Sequence, residues 1–233
     1  MIPIRDENPT RSRAWMTLLL ILVNVGISLL QWLLPGSESE RLLLTAALIP
    51  ARLTGLLEVP GLPAPLTLLS SQFLHGGFLH LAGNMLFLWI FGNNVEDELG
   101  SLRFLVFYLA CGTAAGLVHT MTGPGSGVPT VGASGAISGV LGAYAFLFPR
   151  ARIHSLLFLF FYVTVIPLPA LVWVAIWFAI QLINGLATQG VGSGVAWFAH
   201  VGGLVAGIVL LVLFRRRRPR PRAHPFSGTW NRW

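Results

Sequence analysis

Six apolar stretches, each about as long as a membrane-spanning helix, follow one another along the chain, separated by glycine, proline or charged residues. They cover about 15–34, 71–92, 103–121, 132–148, 168–187 and 196–214. A spanning helix needs about 20 mostly apolar residues, because each residue adds ~1.5 Å and the hydrocarbon core of a bilayer is ~30 Å thick. The pattern predicts an all-α membrane protein with six transmembrane helices and a membrane domain over residues 15–214.

Two further segments do not fit a plain helical bundle. Residues 35–70 contain five prolines and several short apolar patches, so we expect a long outer loop that lies partly in the membrane interface. Residues 153–167 are apolar but too short to span a bilayer, and Pro167 and Pro169 follow closely. We therefore predict that this segment is an interfacial or tilted lead-in to the fifth helix.

Composition identifies lipid as the main solvent and charge sets the orientation. The chain is 55% hydrophobic and 10% charged, whereas soluble domains carry roughly 25% charged residues. With both termini in the cytoplasm, 13 of the 15 arginines lie inside, and only Arg41 and Arg52 lie outside. We expect a multi-pass protein of a bacterial or archaeal plasma membrane, with a cytoplasmic segment over 1–14 and a basic cytoplasmic tail over 215–233. The tail either anchors the topology or contacts anionic lipids.

Polar side chains inside the predicted spans are costly in lipid, so each is a functional hypothesis. The predicted topology places Ser134, His80 and His200, from three different helices, in the outer half of the bilayer. This convergence indicates a site. The full set of candidates is His75, His80, Asn84, His119, Ser134, Ser138, Gln181, Asn184 and His200.

Glycines accompany two of these polar residues on their helices. Small residues at such spacing allow membrane helices to approach until their backbones touch, which is the approach that a Ser–His pair requires. Ordinary helix packing is the alternative interpretation. The glycines concerned are Gly135, Gly139 and Gly142 beside Ser134, and Gly203 and Gly207 beside His200.

These residue types indicate acyl-transfer chemistry. Ser134 is the candidate nucleophile and His200 the candidate base, and because no Asp or Glu lies within a predicted span, they form a dyad rather than part of a triad. The helix N-terminus at Ser134, with Asn84 and His80 across the bundle, offers donors for an oxyanion.

Two other classes of function remain as alternatives. His75, His80 and His200 could bind zinc, but the first two are five residues apart and no intramembrane Glu is available as a base. A channel could use Gln181 and Asn184, yet no spanning charge is present to carry ions or protons. We therefore expect neither a metal nor a cofactor.

Four segments resemble the rhomboid family of intramembrane serine proteases, in matching order and spacing over about residues 66–214. FLHGGFLHLAGN (73–84) resembles the family's second-helix element, and GASG (132–135) is similar to its nucleophile motif. AHVGGLVAG (199–207) resembles its histidine helix, and GNNVEDELGS (92–101) its short acidic cytoplasmic loop.

The resemblance implies a six-helix protease with a water-filled cavity open to the extracytoplasmic side, acting on transmembrane protein substrates and not on nucleic acid. Ser134 would be the nucleophile and His200 the general base. The oxyanion and substrate contacts would come from His80, Asn84, Gly132 and Ala133, with His75, Gly135, Gly139, Gly203 and Gly207 in supporting positions.

Two departures from the family pattern affect the expected site. Leu66 and Thr67 occupy positions where the family often has a Trp-Arg pair, and Ser138 stands where some members pack a Tyr on the catalytic histidine. Trp197 or Phe198 would then hold the imidazole. The alternative function is a catalytically inactive rhomboid-like protein that binds membrane clients.

Overall fold

The computed structural model describes residues 1–159, 162–187 and 196–215. The basic tail predicted over 215–233 lies outside these residues, apart from Arg215. The described chain is mostly helical and also contains three strands. The elements are β1 (Ile2–Asp6), α1 (Trp15–Leu33), α2 (Gly36–Ala46), α3 (Pro50–Leu53), α4 (Thr67–Ser70), α5 (Phe78–Leu99), α6 (Ser101–Thr122), α7 (Ser134–Leu147), β2 (Arg152–Leu159), β3 (Tyr162–Pro169), α8 (Ala170–Ala187) and α9 (Trp197–Phe214), with short 3-10 helices at Ala64–Leu66 and Ser71–Phe73.

Four of the described helices, α1, α6, α8 and α9, are long and apolar enough to cross a membrane. The segment Ala64–Phe73 and helix α5 pass the same test together, although they are bent by 83° where they join. Helix α7 is apolar but has only 14 residues. The protein is therefore an integral membrane protein with four or five spans by helix length, and the six-span count stays a prediction.

Helix α5 continues through the segment that the sequence suggested as an acidic cytoplasmic loop. Residues 92–99 are helical, and Gly100, with φ +82°, alone separates α5 from α6. The buried Glu96 carboxylate accepts hydrogen bonds from the backbone N–H groups of Met16 and Thr17, at 2.9 and 2.7 Å. The acidic cluster can stay in the helix because Glu96 caps the N-terminus of α1, where a negative charge is favourable.

The prediction of an all-α fold is confirmed only in part, because the described chain is mostly helical but β1, β2 and β3 form an antiparallel sheet with β2 in the middle. Ile2 pairs with Leu156, and Arg152 pairs with Pro169. Residues 153–159 and 162–167 therefore lie in two paired strands and do not form a lead-in to a helix. Burial in β2 alternates as a strand requires, since Ile153 and Ser155 are buried whereas Arg152 and Phe158 are exposed.

Segment 35–70, which the sequence predicts as an outer loop, folds into short helices that support the loop before α7. Arg52 is buried and donates hydrogen bonds to the carbonyl oxygens of Leu44 and Thr45, at 3.2 and 3.0 Å. Leu48 and Thr130 exchange two backbone hydrogen bonds, at 3.1 and 2.7 Å. These two bonds attach the loop at 123–133 to segment 35–70.

Helix α7 lies in the centre of the helical bundle. Every residue from Gly135 to Ala145 is buried, and the helix packs against α5, α6, α8 and α9. Small residues such as Gly135, Gly139 and Gly142 let the surrounding helices approach α7 closely. The position of α7 brings its N-terminus into contact with side chains from several other helices.

Candidate active site

Ser134 is the first residue of α7, and the loop before it is tightly held. Gly132 has φ +124°, a conformation that favours glycine, and its N–H donates to the Ser71 carbonyl oxygen at 2.9 Å. The first N–H groups of a helix have no partner within the helix. Ser134 therefore presents its hydroxyl beside free backbone donors and the positive end of the helix dipole.

His200 lies in the first turn of α9 and contacts Ser134 directly. Its Nε2 is 2.8 Å from Ser134 Oγ, although the two residues are 66 positions apart in the chain. This distance is within the range that a serine nucleophile and its base require. The structure thus joins the two residues that the sequence proposed as nucleophile and base.

The glycines of α7 and α9 lie at the contact between the two helices. A Cβ atom added to Gly203 would collide with the carbonyl oxygen of Gly135, and one added to Gly207 would collide with that of Gly139. On the other side of α7, a Cβ on Gly139 would lie 2.6 Å from Cys111 Sγ. The helices therefore meet backbone to backbone one turn below Ser134 and His200.

The side chains of His80 and Asn84 project from α5 toward the N-terminus of α7. A Cβ built on Gly132 would lie 2.8 Å from His80 Nε2 and 3.7 Å from Asn84 Nδ2. Asn84 is buried, and within the described part of the chain its Nδ2 has no hydrogen-bond partner. Ala133, fully buried, completes the turn between Gly132 and Ser134. The site thus contains an amide donor whose hydrogens point to no protein acceptor.

His75 has a different environment from His80, although their rings are only 5.2 Å apart. It is completely buried, and its Nδ1 is 3.1 Å from Ser28 Oγ on α1. The Gln31 amide donates to the His75 carbonyl oxygen at 3.1 Å. His75 therefore joins α1 to the turn before α5, and its ring lies beside that of His80.

A cavity of about 1100 Å³ contains the reactive groups. Ser134, His200, His80 and Asn84 line it, and Gln181 on α8 belongs to its wall. The volume is comparable to that of the larger ligand sites of proteins.

Metal binding is not favoured by the arrangement of ligands. Among residues 1–159, 162–187 and 196–215, no group of three or more His, Cys, Asp or Glu side chains is placed to hold an ion. His200 instead uses Nε2 toward Ser134, and His75 uses Nδ1 toward Ser28. The imidazoles that a zinc site would need are engaged separately.

The partner of the second imidazole nitrogen was not found from the sequence. Gln181 Oε1 lies 2.8 Å from His200 Nδ1, whereas the sequence suggested Gln181 only as a lining residue of a channel. The signal was a pair of amides, Gln181 and Asn184, on an otherwise apolar helix, and such a pair does not reveal its partners. Of the two aromatic residues expected to hold the ring, Trp197 contacts it edge-on at 6.2 Å, while Phe198 packs toward Gly185.

Ser138 does not replace the aromatic residue found in some family members. Its hydroxyl donates to the Ser134 carbonyl oxygen at 2.6 Å, one turn back along α7. A Trp from a neighbouring helix, Trp177, packs on His200 with ring centroids 5.8 Å apart. The aromatic rings that pack on the imidazole therefore come from α8 and α9 and not from α7.

Comparisons with known proteins agree with the motifs. The family model described as the Rhomboid domain matches residues 64–217. Rhomboid protein 1, mitochondrial, of Saccharomyces cerevisiae is 32% identical over 75% of this chain and 50% of its own length. Human presenilin-associated rhomboid-like protein, mitochondrial, is 32% identical over 60% of this chain and 36% of its own.

A bacterial relative matches a shorter region. Rhomboid protease GluP of Bacillus subtilis is 45% identical over 34% of this chain and 15% of its own length. The chain thus spans half or less of the length of these relatives. Because they include mitochondrial proteins, they support an integral membrane protein but not the plasma membrane of a bacterium or archaeon in particular. The family model covers the segments that contribute Ser134, His200, His80 and Asn84, and the chain belongs to the rhomboid family.

Proposed function

We propose that the protein is an intramembrane serine endopeptidase that cleaves membrane-anchored proteins within or near their transmembrane segment. The observation that carries this proposal is the 2.8 Å contact between Ser134 Oγ and His200 Nε2 at the N-terminus of a buried helix. The Bacillus subtilis relative is named as a rhomboid protease, which supports the same activity. The substrate is a transmembrane protein segment, and membrane lipids surround the enzyme.

The geometry supports a two-step acyl transfer. His200 Nε2 takes the proton of the Ser134 hydroxyl while Oγ attacks the scissile carbonyl carbon, and His200 then returns that proton to the leaving amine as the C–N bond breaks. The resulting ester on Ser134 is hydrolysed by a water molecule that His200 deprotonates. The carboxyl product then leaves, and the Ser134 hydroxyl is restored.

The negative charge that develops on the carbonyl oxygen has donors within reach. The free N–H groups of the first turn of α7 supply backbone donors, and the unpartnered Asn84 amide and His80 supply side-chain donors from α5. Preorganised donors of this kind stabilise an oxyanion strongly, because they are already oriented toward the developing charge. His80, Asn84, Gly132 and Ala133 are thus the proposed oxyanion and substrate contacts.

The length of α7 supports an active site below the membrane surface. Its 14 residues extend over roughly 21 Å at 1.5 Å per residue, which is shorter than the ~30 Å hydrocarbon core. If its C-terminal end reaches the cytoplasmic side, Ser134 lies inside the outer half of the bilayer. Within this proposal α7 and the bent segment that includes α5 complete six spans, with both termini cytoplasmic and the cavity open to the extracytoplasmic side.

The experiment combines covalent labelling with cleavage in proteoliposomes. A serine-directed fluorophosphonate or isocoumarin should label the wild-type protein, and a transmembrane reporter should be cut. Ser134→Ala should abolish both, and His200→Ala should reduce both below detection. Ser138→Ala, one turn along α7, and His154→Ala, on β2, are the matched controls and should be labelled like the wild type.

The two functions within the family predict different results. A folded wild-type protein that neither reacts with the probe nor cuts any transmembrane reporter, but still binds such segments, would support the inactive client-binding protein instead. Labelling that persists in Ser134→Ala would remove Ser134 from the mechanism.

A further inference from the structure

We propose that Gln181 is the positioning residue of the catalytic histidine, selecting the tautomer of His200 in which Nε2 can act as a base. This inference rests on the proposed function and adds to it a third residue, contributed by α8. Gln181 is buried, and its Oε1 lies 2.8 Å from His200 Nδ1. The hydrogen bonds thus run from Gln181 through His200 to Ser134.

The direction of these hydrogen bonds follows from the chemistry of the atoms. An amide oxygen can only accept, so His200 Nδ1 must carry the hydrogen of the bond to Gln181 Oε1. A neutral imidazole has one hydrogen, and Nε2 is then a free acceptor facing the Ser134 hydroxyl. The opposite tautomer would put a hydrogen on Nε2, and the Gln181 amide would have to turn over to present its own N–H to the unprotonated Nδ1 in place of the Oε1 contact.

Other neighbours of His200 cannot make this selection. Trp177 and Trp197 contact the imidazole through their rings, at centroid distances of 5.8 and 6.2 Å, which restricts the tilt of the ring but not the position of its hydrogen. The Ser138 hydroxyl is directed to its own helix. Within the described chain, three candidate carboxylates accept hydrogen bonds elsewhere. Asp6 accepts from the Tyr144 hydroxyl. Glu96 and Asp97 accept from the backbone N–H groups of Thr17 and Ser12.

A neutral amide suits a buried membrane site better than the acid of a triad. An ionised carboxylate in such a site carries a large desolvation cost, whereas an amide can orient the imidazole without a net charge. A Cys–His–Asn arrangement in soluble proteases uses an amide in the same role. Ser134, Gln181 and His200 come from α7, α8 and α9, so a displacement of α8 alone would remove the acceptor from Nδ1.

Substitutions at Gln181 distinguish positioning from general packing. Gln181→Leu replaces the amide with an apolar side chain of similar size and so removes the acceptor. We expect kcat to fall about 10- to 100-fold, the effect of losing one buried hydrogen bond, with KM little changed. Gln181→Glu keeps an acceptor oxygen at the same reach in either protonation state and should retain at least about a tenth of the wild-type kcat. Ile183→Ala, an exposed change on the same helix, is the matched control and should behave as the wild type.

A direct readout of the tautomer does not depend on turnover. With ¹⁵N-labelled histidine in micelles, and the His200 signal assigned by its loss in His200→Ala, the wild type should show a protonated Nδ1 and an unprotonated Nε2. Gln181→Leu should show a mixture of tautomers. A wild-type Nε2–H tautomer, or Gln181→Leu with unchanged kcat and an unchanged spectrum, would overturn the proposal.

The two proposals fail in different ways. If the wild type is not labelled by the fluorophosphonate, the proposed function fails. If the wild type is labelled and active, and Gln181→Leu is labelled at the same rate while Trp177→Ala is not, ring packing and not Gln181 positions His200. If Gln181→Glu does not fold, the wild-type and Gln181→Leu spectra still decide the question.

Discussion

Gly203 on α9 lies directly against the carbonyl oxygen of Gly135 on α7, so that a side chain at position 203 has no space. Ser134 is next to Gly135 on α7, and His200 lies three residues before Gly203 on α9. The 2.8 Å distance between Ser134 Oγ and His200 Nε2 depends on the same close approach of the two helices. Ser138 contributes by its small size, since its Cβ would lie 3.2 Å from a Cβ on Gly203. The distance between the two reacting atoms is therefore set by backbone contact one turn away.

Gly203→Ala should inactivate the enzyme without touching a reacting atom. The added methyl group forces α7 and α9 apart, and a displacement of about 1 Å at a reacting centre costs on the order of 100-fold in rate. The measurement is kcat/KM for a transmembrane reporter, with fluorophosphonate labelling as a second readout. Val209→Ala, exposed on the same helix, is the control. Full activity in Gly203→Ala would mean that the contact does not set the catalytic distance.

Asn84→Ala should reduce kcat about 100- to 1000-fold, the usual effect of losing one oxyanion donor, with a smaller change in KM. Asn84→Asp should be equally impaired, because it keeps the shape but replaces the donor with an oxygen acceptor. Asn93→Ala, near the other end of α5, serves as the control. Asn84→Asp with wild-type kcat would show that the Asn84 amide does not donate to the transition state.

Gly132→Ala should impair activity in two ways, by straining the backbone at position 132 and by placing a Cβ atom against His80. The residue has φ +124°, and a Cβ there would lie 2.7 Å from His80 Cε1. Gly55→Ala separates the two effects, since Gly55 has φ +75° but nothing within 4 Å of the added Cβ. We expect Gly55→Ala to lower the unfolding temperature modestly and leave kcat unchanged. Equal kcat in Gly132→Ala and the wild type would contradict the assignment of this turn to the site.

Asp6 should make stability depend on pH. Burial raises the pKa of Asp6 above its ordinary value, although hydrogen bonds from Tyr144 and Asn94 oppose the shift. The folded state therefore binds the proton more readily than the unfolded chain, and the contribution of Asp6 to stability falls as pH rises through its folded pKa. The unfolding temperature of the detergent-solubilised protein, measured against pH, should lose this component in Asp6→Asn.

Glu7 provides a control of opposite sign for that measurement. Its hydrogen bond with His154 lowers the pKa of Glu7, so its contribution is present above the unfolded pKa and lost as pH falls through the folded pKa. Glu7→Gln should remove a contribution to stability that is present at higher pH and lost at lower pH. Identical pH slopes in the wild type and Asp6→Asn would show that the Asp6 contact does not contribute.

The predictions from sequence succeeded best for polar residues on apolar helices, where an unpaired polar group has a large free-energy cost. Polar groups in lipid are expensive, so His200 and Asn84 were conspicuous on apolar helices, and both line the cavity. Local pairing was harder to foresee. Residues 153–167 were apolar enough for a membrane lead-in, but β2 and β3 within them pair with each other, and Ile2–Asp6, far away in sequence, pairs with the other edge of β2. The end of α5 was missed because Glu96 is stabilised by the N-terminus of α1.

The amino-acid sequence by itself determined the membrane environment, the family, and the serine and histidine that form the candidate dyad. These follow from composition, from the cost of polar groups in lipid and from short motifs with fixed spacing. The tertiary structure alone decided which atoms meet: Gln181 with His200 Nδ1, Asn84 with the turn at Gly132, and β1 with the hairpin after α7. Such pairings depend on the mutual placement of helices and strands that are far apart in the chain. The periodicity or hydropathy of one segment does not identify the residue that it will contact in another segment.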